Sequence, residues 1–375
     1  MDMERAKARA GGLLTIDLAA IRHNYNLLRT RLAKASCAAV VKADAYGLGA
    51  AHVAPALVAE GCRHFFVANI DEGIALRSIL KGIRDIEIYV LHGAPPGAEE
   101  DLSESALTPV LNSSVQIEAW QKLAQKLDRR LPAILQIDTG MSRMGLEASE
   151  LENLLADEHR LRGIDLHYLM SHLAIAEEGD HWMNREQLRR FRQAQAVLGV
   201  HGSLANSSGI FLGQDYHFDL VRPGAALYGL NPLKDADNPM RPVVRLQGKI
   251  VQLRTVAPGD YIGYGLSYQA ETSRRIATVL VGYADGWMRF LSNRGYVLFQ
   301  GHRVPIVGRI SMDTITVDVT AIDSLHGVNA GDTVDLIAND HPVDEVAKLA
   351  GTIGYEILTG LGSRFHRVHT GELQA

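Results

Sequence analysis

Short apolar runs alternate with amphipathic stretches between residues 36 and 222 of this chain. The apolar runs lie near residues 38–42, 65–69, 86–91, 108–111, 133–138, 165–171, 203–206 and 218–221. Between most of them, apolar residues recur at helical spacing, and the clearest predicted helix covers residues 114–129, with Ser113 or Ser114 as its N-cap. Similar helices are predicted at residues 71–81 and 184–198. Eight short strands that alternate with helices favour a parallel (β/α)8 barrel of the TIM type.

A doubly wound open sheet is the structural alternative to this barrel. Such a sheet normally carries a glycine-rich dinucleotide-binding turn after its first strand. The only glycine pair in that place is Gly47-Leu48-Gly49, which is too short to match the turn. The barrel is therefore the preferred interpretation.

The pattern changes after about residue 240, where short segments rich in Val, Ile and Thr follow one another. They cover residues 249–256, 275–282, 296–299, 304–307, 314–319 and 333–337. Turn sequences such as Pro258-Gly259-Asp260 separate them, which predicts a mostly antiparallel β-domain, and residues 342–361 have a helical pattern. We therefore predict a barrel domain at residues 12–240 and a mostly β C-terminal domain at residues 241–375, on which residues 1–15 could pack.

The composition is that of a globular enzyme, with 375 residues of which 47% are hydrophobic and 22% charged. A net charge of −5 and the lack of a basic stripe argue against a nucleic-acid partner. No apolar stretch approaches the length of a membrane span, and the N-terminus lacks the apolar core of a secretory signal, so we expect a cytoplasmic protein with no membrane partner. Two cysteines, Cys37 and Cys62, cannot form a disulfide framework, which agrees with a reducing compartment.

Polar residues follow several of the predicted barrel strands. They are Lys42 after strand one, Asp138 and Arg143 after strand five, His172 after strand six, Asn206 and Ser207 after strand seven, and Arg222 and Gly224 after strand eight. In a TIM-type barrel these strand ends meet at one mouth, and loops seven and eight often bind phosphate. A desolvated lysine amine forms Schiff bases with aldehydes. A reactive lysine beside a phosphate site favours pyridoxal phosphate as the ligand.

Each of these residues also has a structural interpretation. Lys42 could reach the surface, and Ser207 could serve only as a helix cap. Arg143 could be a solvated loop residue, and His172 a satisfied core histidine. A metal site at His167 and His172 is disfavoured, because no cysteine or carboxylate has suitable spacing. The shared position of these groups at strand ends favours the functional interpretation.

Longer motifs identify a family resemblance. In chain order they are Ala39-Val-Val-Lys42-Ala-Asp-Ala-Tyr46-Gly, Asp138-Thr-Gly-Met-Ser-Arg143-Met-Gly145, Met170-Ser-His172-Leu-Ala, Ala205-Asn-Ser207, Val221-Arg222-Pro-Gly224, Gly263-Tyr-Gly-Leu-Ser-Tyr268, Gly282-Tyr283-Ala-Asp-Gly-Trp287 and Gly308-Arg309-Ile-Ser-Met312-Asp313. Over nearly its whole length the chain resembles the alanine racemases, which are two-domain, fold-type III pyridoxal-phosphate enzymes. The first motif matches the family's cofactor-lysine signature and is the most specific of the set.

The resemblance implies a role for each matching residue. Lys42 would hold pyridoxal phosphate covalently and act as one catalytic base, and Tyr268 would be the second base on the opposite face. The cofactor-binding residues would be Lys42, Tyr46, His172, Ser207, Arg222, Gly224 and Ala225; the substrate-binding residues Arg143, Tyr283 and Met312; and the supporting residues Gln136, Asn206 and Asp313. Arg222 would face the pyridine nitrogen, and His172 would link Arg222 to Tyr268. In the family this tyrosine comes from the other subunit, so the resemblance implies a homodimer with shared active sites.

Three positions depart from the common family pattern. Gln136 stands where many members have a lysine that is sometimes carbamylated, so a neutral amide or a bound anion would have to orient Arg143. Leu48 stands where many members have histidine. Ser363 aligns with a tyrosine that lies beside the phosphate in some members, and its shorter side chain leaves that contact open.

The resemblance implies interconversion of L- and D-alanine, which would supply peptidoglycan precursors or feed D-alanine catabolism. A broader-range racemase that also accepts serine is one alternative, favoured by Gln136. A non-catalytic pyridoxal-phosphate carrier is another, but such carriers are usually the barrel alone. A fold-type III decarboxylase is disfavoured, because the chain has no glycine-rich His-Gly-Asn turn.

Overall fold

The structure is a computed structural model that describes residues 2–372. Residue 1 and residues 373–375, which belong to the predicted N-terminal segment and C-terminal domain, lie outside the described residues. Contacts between Cα atoms divide the chain into two compact units. Ile21–Arg241 forms the first, and the described residues on either side of it form the second.

The first unit is a barrel of parallel strands. The strands are Ser36–Cys37 continued by Ala39–Val40, then His64–Val67, Glu87–Val90, Thr108–Leu111, Leu131–Gln136, Ile164–Met170, His201–Ser203 and Leu220–Val221. Neighbours in the chain are neighbours in the sheet, and Leu220–Val221 pairs in parallel with Ser36–Cys37. The Asp219 N–H donates to the Gly202 carbonyl at 3.0 Å, which joins the seventh strand to the eighth. The ring is therefore closed, and the predicted eight-stranded barrel is confirmed.

Helices connect most of these strands. From residue 18 to residue 241 they are Leu18–Thr30, Lys42–Gly47, Ala50–Ala59, Ile70–Ile79, Glu99–Glu104, Ser114–Lys126, Ala148–Leu155 and Trp182–Leu198, with short 3-10 turns at Glu158–Leu161, Ser208–Leu212, Gln214–Tyr216 and Ala225–Tyr228. Ser113 caps the helix Ser114–Lys126 by accepting from the Gln116 N–H at 3.3 Å. That helix buries Ile117, Trp120 and Leu123, the apolar stripe from which it was predicted.

The second unit is mostly β. Its strands are Gly12–Asp17, Val244–Val256, Tyr261–Ile262, Tyr268–Gln269, Arg274–Val279, Tyr296–Phe299, His302–Pro305, Ile315–Asp318, Thr333–Ile337 and His366–Thr370. Its helices are Asp2–Arg9, Thr320–His326, Val343–Ala350 and Gly354–Gly360, with 3-10 turns at Tyr264–Leu266, Tyr283–Asp285 and Arg289–Leu291. The long strand Val244–Val256 lies at the centre of the main sheet and pairs antiparallel with three others. The predicted mostly antiparallel domain is confirmed.

Two elements differ from their prediction. Gly12–Asp17, placed in the barrel by the predicted boundary at residue 12, is a strand of the β unit between Val244–Val256 and His366–Thr370. Its alternating burial is typical of a strand with one face in a core, and backbone pairing to residues more than 200 positions away decides its place. The helical pattern of residues 342–361 is interrupted at Gly351, where φ is +68°. Among the described residues, no helix is both long and apolar enough to cross a membrane.

Candidate active site

Lys42 follows the first barrel strand and opens an unusual turn. The four residues after it, from Ala43 to Tyr46, have φ between +52° and +56°, which is left-handed helical backbone built without glycine. Left-handed backbone costs L-residues about 1–2 kcal/mol each, so the fold must hold this turn in place. The Ala43 N–H donates to Glu72 Oε1 at 2.7 Å, and the Ala50 N–H donates to Asp44 Oδ1 at 2.7 Å. Carboxylates therefore anchor the turn at both ends.

The Lys42 amine lies in an environment that favours its neutral form. Burial and the positive charge of Arg143 lower the pKa of Lys42, and the Glu72 carboxylate acts in the opposite direction. Lys42 is half-buried rather than extended into solvent, in contrast to the surface interpretation that the sequence left open. A lysine with a lowered pKa is suited to nucleophilic or base chemistry.

Tyr46, Ser207 and Gly224 form a small polar cradle. Ser207 is buried, and its Oγ accepts from the Gly224 N–H at 3.0 Å and from the Ala226 N–H at 3.2 Å. A Cβ atom added to Gly224 would lie 2.4 Å from the hydroxyl of Tyr46, so this contact requires glycine. Ala225 begins the 3-10 turn Ala225–Tyr228 beside them. Because Tyr46 belongs to the left-handed turn, the cradle lies against the segment that carries Lys42.

Arg222 is a buried cation without a carboxylate. Its Nη1 donates to Ser203 Oγ at 2.7 Å, and its Nη2 donates to the Ser171 carbonyl at 2.7 Å. Burial lowers the pKa of Arg222 to about 9, so the group is still charged at neutral pH. No acidic side chain among residues 2–372 forms an ion pair with it. A charged guanidinium directed at a ring nitrogen would disfavour protonation of that nitrogen.

His172 lies beside Arg222, with its Nδ1 3.4 Å from Arg222 Nη2. Burial and the charges of Arg222, Arg143 and Lys42, in that order, lower the pKa of His172 to about 3. His172 is therefore neutral at physiological pH. Because Arg222 can only donate, Nδ1 accepts and the ring proton lies on Nε2.

The loop that carries Arg143 is shaped by two side chains. Asp138 accepts from the N–H groups of Gly140, Met141 and Ser142 at 2.8, 2.8 and 2.9 Å. Gln136 is buried, and its Nε2 donates to the Met144 carbonyl at 3.1 Å. The amide at this position thus holds the backbone next to Arg143. Arg143 itself is exposed at the end of the loop.

Two further predicted positions have structural contacts. Asn206 Oδ1 accepts from the Gly209 N–H at 2.9 Å and closes a turn after the seventh strand. Leu48 is fully buried in the barrel core, which explains how a hydrophobic residue fits where many family members carry histidine. Among residues 2–372, no group of three or more His, Cys, Asp or Glu side chains could hold a metal ion.

The remaining candidates lie in the β unit, beginning with Tyr268. Its strand Tyr268–Gln269 pairs with Tyr261–Ile262, and the ring packs against a cluster that includes Val256 and Ile276. Asn293 Nδ2 donates to the Ser267 carbonyl at 3.2 Å, and Asn293 Oδ1 accepts from the Gly308 N–H at 2.6 Å. Asn293 therefore ties the residue before Tyr268 to the start of the Gly308–Asp313 motif.

Tyr283, Met312 and Asp313 lie on two segments that are bonded to each other. The Tyr283 N–H donates to the Ser311 carbonyl, and the Ala284 N–H donates to the Met312 carbonyl, both at 3.0 Å. Arg364 donates to both carboxylate oxygens of Asp285, at 2.6 and 2.8 Å, and to Asp313 Oδ1 at 2.7 Å. These bonds orient the peptide of Met312. Ser363, next to Arg364, is exposed.

The barrel thus brings together every candidate predicted in it, and the β unit carries the other four separately. Sequence reasoning missed Glu72, Asn293 and the Asp285–Arg364 ion pair. The pattern Asn69-Ile-Asp-Glu72 resembles a helix-capping sequence and gives no sign that Glu72 also binds the Lys42 turn. Asp285 and Arg364 are 79 positions apart, so no local pattern links them.

Comparison with known proteins places these features in a family. Residues 16–232 match the family model of the alanine racemase N-terminal domain, and residues 243–369 match that of the C-terminal domain. A catabolic alanine racemase from Mesorhizobium japonicum is 50% identical over 98% of this chain and 95% of its own length. An alanine racemase from Rhodospirillum rubrum is 50% identical over 97% of each chain. The crystal structure of alanine racemase from Bartonella henselae with covalently bound pyridoxal phosphate is 44% identical, covers 96% of this chain and 99% of that chain, and superposes with a TM-score of 0.93.

Proposed function

Because the chain belongs to the alanine racemase family, we propose that it interconverts L- and D-alanine with pyridoxal phosphate as cofactor. One observation carries the proposal. The turn that presents Lys42, with its lowered pKa, also presents Tyr46 to the Ser207–Gly224 cradle. A reactive amine and a phosphate-sized set of N–H and hydroxyl donors therefore lie on one segment of the barrel mouth.

The residues present fit this cofactor. Lys42 would hold its aldehyde carbon covalently, and Ser207, Tyr46 and the backbone near Gly224 and Ala225 would hold its phosphate. The absent Cβ of Gly224 leaves the cradle open, since any larger residue would meet the Tyr46 hydroxyl. Arg222 would face the ring nitrogen without a carboxylate beside it. When bound, the cofactor supplies an electron-withdrawing ring that acidifies the α-hydrogen of the attached amino acid.

We propose two bases on opposite faces of the substrate. Lys42 would take or return the α-proton on one face, aided by the burial and the Arg143 charge that lower its pKa. Tyr268 would do so on the other face, with the Nε2 proton of neutral His172 available to its oxygen. The uncharged His172 passes no proton to the ring nitrogen, and Arg222 keeps that nitrogen unprotonated. Proton return is then favoured over side reactions.

The substrate carboxylate would be bound by Arg143 and by the backbone N–H of Met312, with Tyr283 beside them. Gln136 supports Arg143 through the Met144 carbonyl, so an amide does the positioning work proposed for a carbamylated lysine elsewhere in the family. Asp313 supports the same region through Arg364. This arrangement needs no bound anion.

We propose a homodimer in which Tyr268 serves the partner's barrel. Exposed apolar side chains surround the segments concerned: Tyr264, Leu266 and Met312 are 72%, 63% and 53% exposed. Apolar residues clustered at a surface are typical of an interface. Specific activity should therefore fall on dilution as subunits separate, and undiminished activity in a demonstrated monomer would contradict this assembly.

The decisive experiment is incubation of the full-length protein with pyridoxal phosphate and L-alanine in D2O, while α-deuteration and chirality are followed together. We expect both to proceed, and Lys42→Ala to lower the rate by about 10³-fold or more, with the exposed Lys122→Ala as control. Tyr268→Phe should lower the rate, with Tyr261→Phe as control. No α-deuteration of alanine by the wild type would reject the proposal.

The alternatives are separated by two further measurements. Serine assayed beside alanine distinguishes a broader-range racemase from an alanine-specific one. The matched C-terminal domain disfavours the carrier, which would consist of the barrel alone. Whether a deletion strain requires D-alanine for growth separates a peptidoglycan role from D-alanine catabolism.

A further inference from the structure

Glu72 joins two backbone segments at the mouth of the barrel. Its Oε1 accepts from the Ala43 N–H and its Oε2 from the Ala68 N–H, both at 2.7 Å. Ala43 directly follows Lys42, and Ala68 follows the second barrel strand, His64–Val67. One carboxylate therefore links the Lys42 turn to the rigid strand beside it.

Glu72 is itself held firmly. Its helix Ile70–Ile79 begins at Asn69, whose Oδ1 accepts from the Glu72 N–H at 3.0 Å. An ordinary capping glutamate reaches back only to the N-cap backbone. Here the second carboxylate oxygen reaches out of the helix to a segment 29 positions earlier in the chain. The side chain is half-buried, so these charge-assisted bonds are partly protected from solvent.

The Ala43 bond lies where backbone support is needed most. Ala43 is the first of four non-glycine residues in left-handed conformation, and an unsupported turn of this kind would relax toward ordinary backbone. Such relaxation would rotate the peptide that follows Lys42 and move its side chain. We propose that Glu72 is a positioning residue for Lys42, which it fixes by pinning the Ala43 N–H to the second barrel strand.

A second effect follows from the charge of the same carboxylate. Arg143 and burial favour the neutral Lys42 amine, and Glu72 favours the ammonium form. The other titratable group near this amine is His172, which is neutral. Removal of the Glu72 charge should therefore lower the pKa of Lys42 further. If Lys42 is the base, the acid limb of the pH profile of kcat then moves to lower pH.

The test compares Glu72→Ala, Glu72→Gln and the control Asp71→Asn. Asp71 is the exposed neighbouring carboxylate and accepts from neither Ala43 nor Ala68. Full-length protein carrying its cofactor is followed by hydrogen exchange of the peptide covering residues 43–49. The loss of two charge-assisted bonds in Glu72→Ala should speed that exchange by about tenfold or more, without a matching change in the helix Ser114–Lys126. Glu72→Gln keeps one acceptor oxygen and should be intermediate.

Kinetics supply the second readout, and this part rests on the proposed function. Glu72→Ala should lower kcat by on the order of 10²-fold through misplacement of Lys42. Glu72→Gln should shift the acid limb of kcat to lower pH, and Asp71→Asn should do neither. Unchanged exchange at residues 43–49 in Glu72→Ala, or exchange that rises equally in Ser114–Lys126, would overturn the positioning role. An unshifted acid limb in Glu72→Gln would overturn the electrostatic one. If the wild type does not racemise alanine, the proposed function fails while the exchange result still decides the structural inference.

Discussion

Replacing Gly224 by alanine would place a methyl group against the hydroxyl of Tyr46. The added Cβ would lie 2.4 Å from that oxygen, 3.1 Å from Tyr46 Cζ and 3.3 Å from Val40 Cβ. Ordinary contact begins near 3.4 Å, so the Tyr46 hydroxyl must move by about 1 Å. The ring cannot retreat freely, because it packs on Tyr228 at a centroid distance of 4.6 Å and belongs to the left-handed turn.

The cost of this overpacking sets the expected effect on cofactor binding. Extra methyl groups in packed sites cost about 1–3 kcal/mol, which corresponds to a roughly 5- to 150-fold rise in the Kd for pyridoxal phosphate. The assay is equilibrium reconstitution of cofactor-free protein with pyridoxal phosphate, followed by visible absorbance. Gly179→Ala is the control, because a Cβ there meets only Leu212 Cδ2 at 3.8 Å.

A double-mutant cycle identifies the cause. Tyr46→Phe removes the atom closest to the new methyl group, so it should recover part of the unfolding free energy lost in Gly224→Ala. A Kd for Gly224→Ala within about twofold of the wild type would refute the reasoning. So would a loss of binding equal to that of Gly179→Ala, or complete additivity with Tyr46→Phe.

Three more predictions follow from the site. Because the pKa of His172 is held at about 3 when folded and is 6.5 when free, the unfolded chain binds the extra proton; this contribution to stability is complete above pH 6.5 and falls by about 2 kcal/mol between pH 7 and pH 5. His172→Asn cannot titrate, so denaturant unfolding should show a correspondingly weaker loss over that range, and an equal loss would contradict the assignment. Asp285→Asn should weaken the Arg364 bridge and raise the KM for alanine by on the order of tenfold with a smaller change in kcat, as steady-state kinetics would show; a fall in kcat alone would be the wrong result. Asp138→Ala removes three bonds to the Arg143 loop and should destabilise it locally by about 2–3 kcal/mol, read as faster hydrogen exchange at residues 139–145, whereas wild-type protection there would argue against the role of Asp138.

The predicted barrel strands agree with the structure because each is a short apolar run buried from both sides. Such a run carries its signal within a few residues, as at 108–111, where every side chain is buried. The N-terminal strand Gly12–Asp17 carried an equally local pattern, yet its unit was predicted differently. Its assignment depends on pairing with Val244–Val256 and His366–Thr370, and no local pattern contains that pairing.

The candidate site shows the same division. The motif around Lys42 and the order of polar residues at the strand ends were readable because parallel strands bring their carboxyl ends together. The left-handed turn was not readable, since Ala43, Asp44 and Ala45 are ordinary L-residues with no propensity for positive φ. Their conformation depends on the Glu72 carboxylate and on the closure of the first strand against the second.

The sequence by itself therefore determined the alternation that builds the barrel, the β character of the second unit, and which residue types lie at the barrel mouth. Burial periodicity and motif order are local properties, so they survive in the sequence alone. Only the tertiary structure decided the pairing of Gly12–Asp17, the bond from Glu72 to the Lys42 turn and the bridge from Arg364 to Asp285. Each of these joins groups far apart in the chain, and their hydrogen bonds exist only once the sheets have brought the partners within reach.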